Sequence, residues 1–475
     1  MTMTQGFLLN GQWISEGEKF EVRSPYDGGV VGATFRPASH HLEAAVEAAV
    51  RALEVTRKLP TYERQRMLRS IAEEITQEHE DLARTIALEA GKPIRTARAE
   101  VDRAIFTFTV AAEEAARIYG EYLPLDLQAS TAGRWALVRR FPIGPVLSIT
   151  PFNFPLNLVA HKVAPAMAAA CTVVHKPHPQ TPLSSLKLAD IIVRAGWPPG
   201  ALNVLPLGGS DAEPLVADDR LKMLSFTGSA AVGWELKRKA GKKHVTLELG
   251  GNAGVIVHRD ADVEFAAGRC TAGGFSYAGQ SCIAVQRILV ERSVHERFLA
   301  AFLPRVQKLK LGDPLEEATD VGPMIRESDA ARAVEWVEEA VHAGAQLLVG
   351  GKRKGTLMEP SVLTGTRPEM RVNCLEVFAP VVTVEPYDDF AEAVRRVNDS
   401  SFGLQAGLFT RDAKLLFSAY EELKVGGLVV GDVPTFRIDH MPYGGTKDSG
   451  LGREGLRYAI EEMTERKLLV VNLPC

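Results

Sequence analysis

The chain reads as an α/β protein made of two successive sets of alternating strands and helices, preceded by a helical segment. Three observations predict this. Residues 39–119 are rich in Ala, Glu and Arg, with apolar positions at helical spacing around Leu82, Ile86 and Leu88. Between 137 and 244, short apolar runs at 146–149, 172–175, 201–205 and 222–226 alternate with helical stretches, the pattern of βαβ units and a parallel sheet. A second alternating set, with strands near 255–257, 287–290, 380–385 and 427–430, predicts a further α/β domain. The stretch 123–141 and the tail 467–472 alternate less cleanly. Their apolar, β-branched composition predicts exposed edge strands.

Composition narrows the function. With 475 residues, 46% hydrophobic and 24% charged, the chain can bury the cores of two or three domains. A net charge of −4, with both signs interspersed, leaves no basic footprint for nucleic acid and points to small neutral or modestly anionic molecules as partners. The five cysteines, Cys171, Cys270, Cys282, Cys374 and Cys475, are odd in number and scattered, which predicts a reducing, cytoplasmic setting. The N-terminus through Phe7, Leu8 and Leu9 has neither a basic leader nor a long apolar run, and no stretch approaches the roughly 18 apolar residues of a membrane span. Eleven histidines form no His-Glu-x-x-His pattern and the cysteines no Cys-x-x-Cys, so no metal is expected.

Four segments carry chemistry. Cys282 stands in the small-residue loop Gly279, Gln280, Ser281, Cys282, ahead of an apolar strand, where a thiol can be an accessible nucleophile or simply a small buried hydrophobe. Glu248 ends a strand and is followed by Leu249, Gly250, Gly251 and Asn252, so its carboxylate can serve as a base or as a plain turn acid. Asn153, between Phe152 and Phe154, offers an amide donor to an oxyanion or a cap to the helix starting near Leu156. Phe226, Thr227, Gly228 and Ser229 end a strand and open a helix through Ala231 and Val232, where N–H groups and a hydroxyl can face a pyrophosphate, or where Ser229 is an ordinary N-cap.

Taken together with Lys176-Pro177, the run Leu375 to Pro380, and Pro442, Tyr443, Gly444 and Gly445 running on to Gly450, these segments resemble the aldehyde dehydrogenase superfamily in order and spacing over essentially the whole chain. The resemblance implies a Rossmann-like dinucleotide-binding domain (1–120 and 142–248), an α/β catalytic domain (249–447) and an oligomerisation arm and tail (121–141 and 448–475). It implies Cys282 as nucleophile, Asn153 as oxyanion donor, Glu248 as the base that hydrolyses a thioester, and Lys162 as a supporting charge. For the cofactor it implies Thr150, Pro151, Phe152, Lys176, Pro179, Gly208, Phe226, Thr227, Gly228, Ser229, Val232, Leu249, Glu376 and Phe378. A glutamate grips the ribose hydroxyls in many NAD-preferring relatives where this chain has Pro179, so NADP is expected to be accepted alongside NAD.

For the substrate the resemblance implies Asn157, His161, Ser281, Ile283 and Arg437, a polar mix suited to a small hydroxyaldehyde or semialdehyde, as in lactaldehyde, glyceraldehyde and phosphonoacetaldehyde dehydrogenases. Ser281 stands where phosphate-binding relatives tend to carry arginine. The expected assembly is a homodimer or homotetramer. Two other readings stay open at the sequence level: a relative that passes the acyl group to coenzyme A, and a non-catalytic scaffold that keeps the fold.

Overall fold

The computed structural model describes residues 3–472, so Cys475 lies outside the described residues. Five parallel strands form the centre of an eight-stranded sheet: in spatial order His244–Glu248, Met223–Thr227, Val146–Ile149, Val173–Lys176 and Leu202–Val204. Numbered along the chain this order is 5-4-1-2-3, a doubly wound arrangement whose reversal point lies between Val146–Ile149 and Met223–Thr227. Phe7–Leu9 and Gln12–Ile14 extend one edge. Gly450–Leu451 pairs antiparallel with the strand that ends in Glu248 at the other.

Alternating residues of these strands feed two cores, because successive side chains leave opposite faces of a sheet. Val146, Val173 and Met223 pack under the helices Thr61–Gln77, Ile94–Ala115 and Asn157–Ala168, while Leu147, Val174, Leu224 and Leu247 face the other way. The helical segment resolves into Ser39–Thr56, Thr61–Gln77, His79–Ala90 and Ile94–Ala115.

The second set forms a seven-stranded sheet in the order Gln346–Val349, Ser361–Thr364, Val381–Tyr387, Val285–Glu291, Ala253–Val257, Gln405–Phe409 and Gly427–Val430, parallel except for its first strand. Val255, Ile288 and Val382 share one core; Ile256, Leu289 and Leu408 share the opposite one. Glu248 therefore does not sit in a turn between paired strands. The chain leaves the first sheet at Glu248 and enters the second at Ala253, so the carboxyl ends of one sheet open toward the amino ends of the other.

Glu121–Pro124, Trp135–Pro142 and Thr464–Val471 make an antiparallel three-stranded sheet, with Leu468, Leu469 and Val470 all about half exposed. Among the described residues of 448–475, Thr464–Val471 joins this three-stranded sheet and Gly450–Leu451 joins the first sheet. Among the described residues no helix is long and apolar enough to cross a membrane.

Candidate active site

A cavity of about 590 Å³ opens where the two sheets face each other, at the reversal point of the first. Its walls bring together Pro151, Phe152, Asn153, Asn157, Thr227, Gly228, Ser229, Glu248, Leu249, Ser281, Cys282, Ile283, Glu376, Phe378 and Arg437. Residues more than two hundred apart in sequence thus meet at one place.

The loop that carries Cys282 owes its shape to an unusual backbone. Tyr277, Ala278 and Gly279 follow one another at φ of 50°, 53° and 67°, a left-handed conformation that costs energy for residues with a Cβ and persists only when neighbours enforce it. Gln280 does so from a fully buried position: its amide donates to the Tyr277 and Pro323 carbonyls (both 3.3 Å) and accepts from the Ile325 N–H (2.8 Å). At residue 279 a Cβ would stand 2.2 Å from the Ala379 carbonyl oxygen, so only glycine fits. Cys282 follows, partly exposed to the cavity, its Sγ 3.3 Å from the Tyr443 hydroxyl. Burial pushes the thiol up to about 11, and the Glu376 and Glu248 carboxyls add to the shift.

Asn153 is positioned by the helix behind it. The buried Glu100 carboxylate accepts from the Leu156 and Asn157 N–H groups (3.0 and 3.1 Å), capping Asn157–Ala168, and is paired with Lys92. The Asn153 amide itself donates to the Gln280 carbonyl (3.0 Å) across the cavity floor, and its Oδ1 is buried without a partner. It does not cap the helix.

Glu248 is buried with neither carboxylate oxygen hydrogen-bonded among the described residues. Burial and the nearby Glu454 charge raise its pKa well above the usual carboxylate range, against Arg437 and Lys162. Glu454 is held well below that range: burial opposes its charge, but Lys162 (2.9 Å), His161 and Arg437 (3.0 Å) outweigh it. Two carboxyls with opposite shifts in one desolvated region fit a base poised to take a proton beside one that stays ionised.

The remaining expected residues divide. Lys162 is not a surface charge; it is fully buried, bound to Glu454 and to the Ser225 hydroxyl (3.0 Å), beneath the cavity. His161 does not line the cavity. It is buried behind it, with Nδ1 2.9 Å from the Arg437 guanidinium and 3.3 Å from Glu454, and Nε2 2.7 Å from Asp439. Thr150, Lys176, Pro179, Gly208, Phe226 and Val232 also lie off the cavity wall. Thr150 N–H donates to the Lys176 carbonyl (3.2 Å), the Lys176 ammonium donates to the Pro177 carbonyl (2.9 Å), and the Gly208 N–H donates to Asp211 (3.2 Å). Burial lowers the Lys176 pKa to about 8. Pro179 is half-buried, Phe226 is packed into the core against Gly228 and Gly233, and Val232 is exposed on its helix.

The walls suit a dinucleotide. Among the described residues, Ser229, at the N-cap of helix Ala230–Lys239, makes no side-chain cap bond and Thr227 Oγ1 has no partner, so both hydroxyls are available at a helix N-terminus. Glu376 accepts from the Gly251 N–H (2.8 Å), and burial lifts its pKa to about 7. A Cβ at Gly250 would lie 2.4 Å from that carboxylate. Phe378 meets Phe152 edge-on at 6.0 Å.

Arg103 and Tyr443 are among the wall residues not singled out from sequence for the site. Arg103 reaches the cavity from helix Ile94–Ala115 and is paired with Asp439 (2.6 Å). It belongs to the set Thr96, Ala99, Glu100 and Arg103, an i, i+3, i+4, i+7 face that helical spacing alone makes visible once the helix is known to face a cavity. Tyr443 lies in a recognisable motif, but its contact with Cys282 depends on folding.

The aldehyde dehydrogenase family model matches residues 13–469. The 3-sulfolactaldehyde dehydrogenase of Priestia aryabhattai is 44% identical over 98% of each chain. Aldehyde dehydrogenase 21 from Physcomitrella patens, solved with the reaction product succinate, superposes with a TM-score of 0.97 at 43% identity, covering 99% of this chain and 98% of that one. The glyceraldehyde-3-phosphate dehydrogenase GapN of Methanocaldococcus jannaschii, solved with NADP, does so at 0.93 and 39%, covering 96% and 100%.

Proposed function

The chain belongs to the aldehyde dehydrogenase family, NAD(P)-dependent oxidoreductases acting on aldehydes, and from that premise we propose which of its residues carry the oxidation of a small polar aldehyde to its acid. The observation that carries the reading is the convergence of Cys282, Asn153, Glu248 and Glu376 on one cavity between the sheets.

The Cys282 thiolate attacks the aldehyde carbon, and the oxyanion formed is met by the Asn153 amide and the Cys282 backbone N–H. When bound, NAD(P) supplies the acceptor for the hydride that leaves this carbon; Glu376, Phe378, Thr227 and Ser229 would hold it. The acyl group left on Cys282 as a thioester is hydrolysed by water that gives its proton to Glu248, whose lack of hydrogen-bond partners keeps it free for that task. Lys162, through Glu454, maintains the charge balance beneath the base. A buried, uncommitted carboxyl here supports release of a free acid over transfer to coenzyme A, and neither the acyl-transferring nor the scaffold reading gains support from the relatives.

Arg103 and Arg437 on the wall, with Asn157 and Ser281, favour an aldehyde bearing a hydroxyl or an anionic tail. The names of the sulfolactaldehyde relative and of the succinate complex agree with this. Pro179 supplies no carboxylate against a 2′-phosphate, so NADP is accepted alongside NAD. The exposed three-stranded sheet supports a homodimer or homotetramer, and the free Cys171, Cys270, Cys282 and Cys374 among the described residues support a reducing, cytoplasmic setting.

Reduction of NAD and NADP with lactaldehyde, glyceraldehyde, succinic semialdehyde, benzaldehyde and hexanal, with Cys282→Ala as control, tests this. Expected is Cys282-dependent reduction without coenzyme A, fastest with polar tails and at comparable kcat/KM for both nucleotides. No reduction by any pair refutes the oxidation; a strong bias to NAD refutes the NADP assignment.

A further inference from the structure

Among the described residues, the Tyr443 hydroxyl is the side-chain group that hydrogen-bonds the Cys282 sulfur, and that sulfur is the hydroxyl's own partner. Tyr443 is 3% exposed, in a small cluster with Ile283 and Leu404. Its backbone is fixed on both sides by Glu454, donating to the Glu454 carbonyl (3.0 Å) and accepting from the Glu454 N–H (2.7 Å). The Glu454 side chain in turn holds Arg437, whose guanidinium lies 3.6 Å from the centre of the Tyr443 ring. The phenol is therefore clamped by one closed loop of contacts, with its oxygen aimed at the nucleophile.

Two hydrogen-bond arrangements are possible across 3.3 Å. A thiol S–H could donate to the phenol oxygen, which would stabilise the unreactive form. Alternatively the phenol O–H donates to a thiolate, which would stabilise the form that attacks carbonyls. The cation over the ring draws electron density from the phenol and strengthens its O–H as a donor. Burial raises the phenol pKa well above its ordinary value, so the phenol keeps its proton.

We propose that Tyr443 is a catalytic residue whose hydroxyl donates a hydrogen bond to the Cys282 thiolate and so sets the fraction of nucleophile present at neutral pH. The thiol proton leaves to solvent; the phenol proton stays on oxygen throughout. In a cavity where burial, Glu376 and Glu248 oppose ionisation of the thiol, this bond acts the other way, together with the Arg437 cation. The proposal rests on Cys282 being the nucleophile of the reading above.

The test is the pH dependence of iodoacetamide alkylation at Cys282, followed by mass spectrometry of the Cys282 peptide, in the wild type and Tyr443→Phe. Cys282→Ala gives the background from the other cysteines. Phenylalanine keeps the ring under Arg437 and removes only the oxygen. A hydrogen bond to a charged group predicts a midpoint raised by about one pH unit in the variant. The rate of the first-turnover burst of reduced nucleotide near neutral pH should fall roughly threefold to tenfold, because the thiolate fraction drops about tenfold and the greater nucleophilicity of a less acidic thiol's anion offsets only part of that, and should recover as pH rises. An unmoved or lowered midpoint overturns the proposal, as does a loss of burst equal at every pH, which marks a packing role. Alkylation needs neither aldehyde nor nucleotide, so an enzyme inert to every aldehyde refutes the proposed reaction while leaving the Tyr443 result readable.

Discussion

At the residue scale, the two acidic side chains beneath the cavity have opposite fates for reasons visible in their partners. Glu454 is surrounded by Lys162, His161 and Arg437 and stays charged; Glu248 has no hydrogen bond among the described residues and is pushed toward its neutral form. A base with a raised pKa is unprotonated only above that value. Hydrolysis of the thioester on Cys282 is therefore expected to accelerate as pH rises through the raised pKa of Glu248. In Glu248→Gln the step should slow by roughly a hundredfold or more and lose this pH dependence, while the burst of reduced nucleotide persists. Rapid-quench measurement of thioester formation and decay checks it; an unchanged steady-state rate contradicts the assignment. Glu248, Cys282 and Asn153, each singled out in sequence because it stands in a short motif whose residue types suit one chemistry, line the same cavity. His161 was misplaced for an equally local reason. One turn of helix separates it from Asn157, and the two side chains do meet, with His161 Nε2 3.2 Å from the Asn157 amide, but the ring is held behind the wall by Asp439, 278 residues further on.

At the element scale, the central strands of both sheets were readable because they are unbroken apolar runs bounded by helices, and Val146–Ile149 matched residue for residue. What sequence could not supply was the crossing at 249–252. A strand, two glycines and another strand read as a local turn, and only tertiary pairing shows that the two strands belong to different sheets. The helix Asn157–Ala168 shows a similar dependence. It has no side-chain cap of its own and takes its N-terminal acceptor from Glu100, 56 and 57 positions away. Glu100→Ala should leave Lys92 as an uncompensated buried charge and cost about 3–5 kcal/mol, read as a lower urea midpoint, with the Asn153 loop loosened and the hydride step slowed. Unchanged stability would show that Lys92 finds another partner or gives up its proton.

At the scale of the whole molecule, the arm presents Leu468 and Val470 on one face of its outermost strand and Leu469 on the other, each about half exposed. An apolar edge of that kind is a pairing surface unless covered. Leu468→Lys with Val470→Lys should shift the protein to a smaller species in light scattering while single-subunit fluorescence remains native; an unchanged mass would place the contact elsewhere. Cys282 and Glu248, meanwhile, are mounted on different sheets and separated by a crevice that neither sheet defines alone. The gap between them behaves like the jaw opening of a vice: its setting is a property of two bodies. Substitutions far from any reacting atom, on the faces where the layers meet, can therefore change turnover without touching a single group that takes part in it.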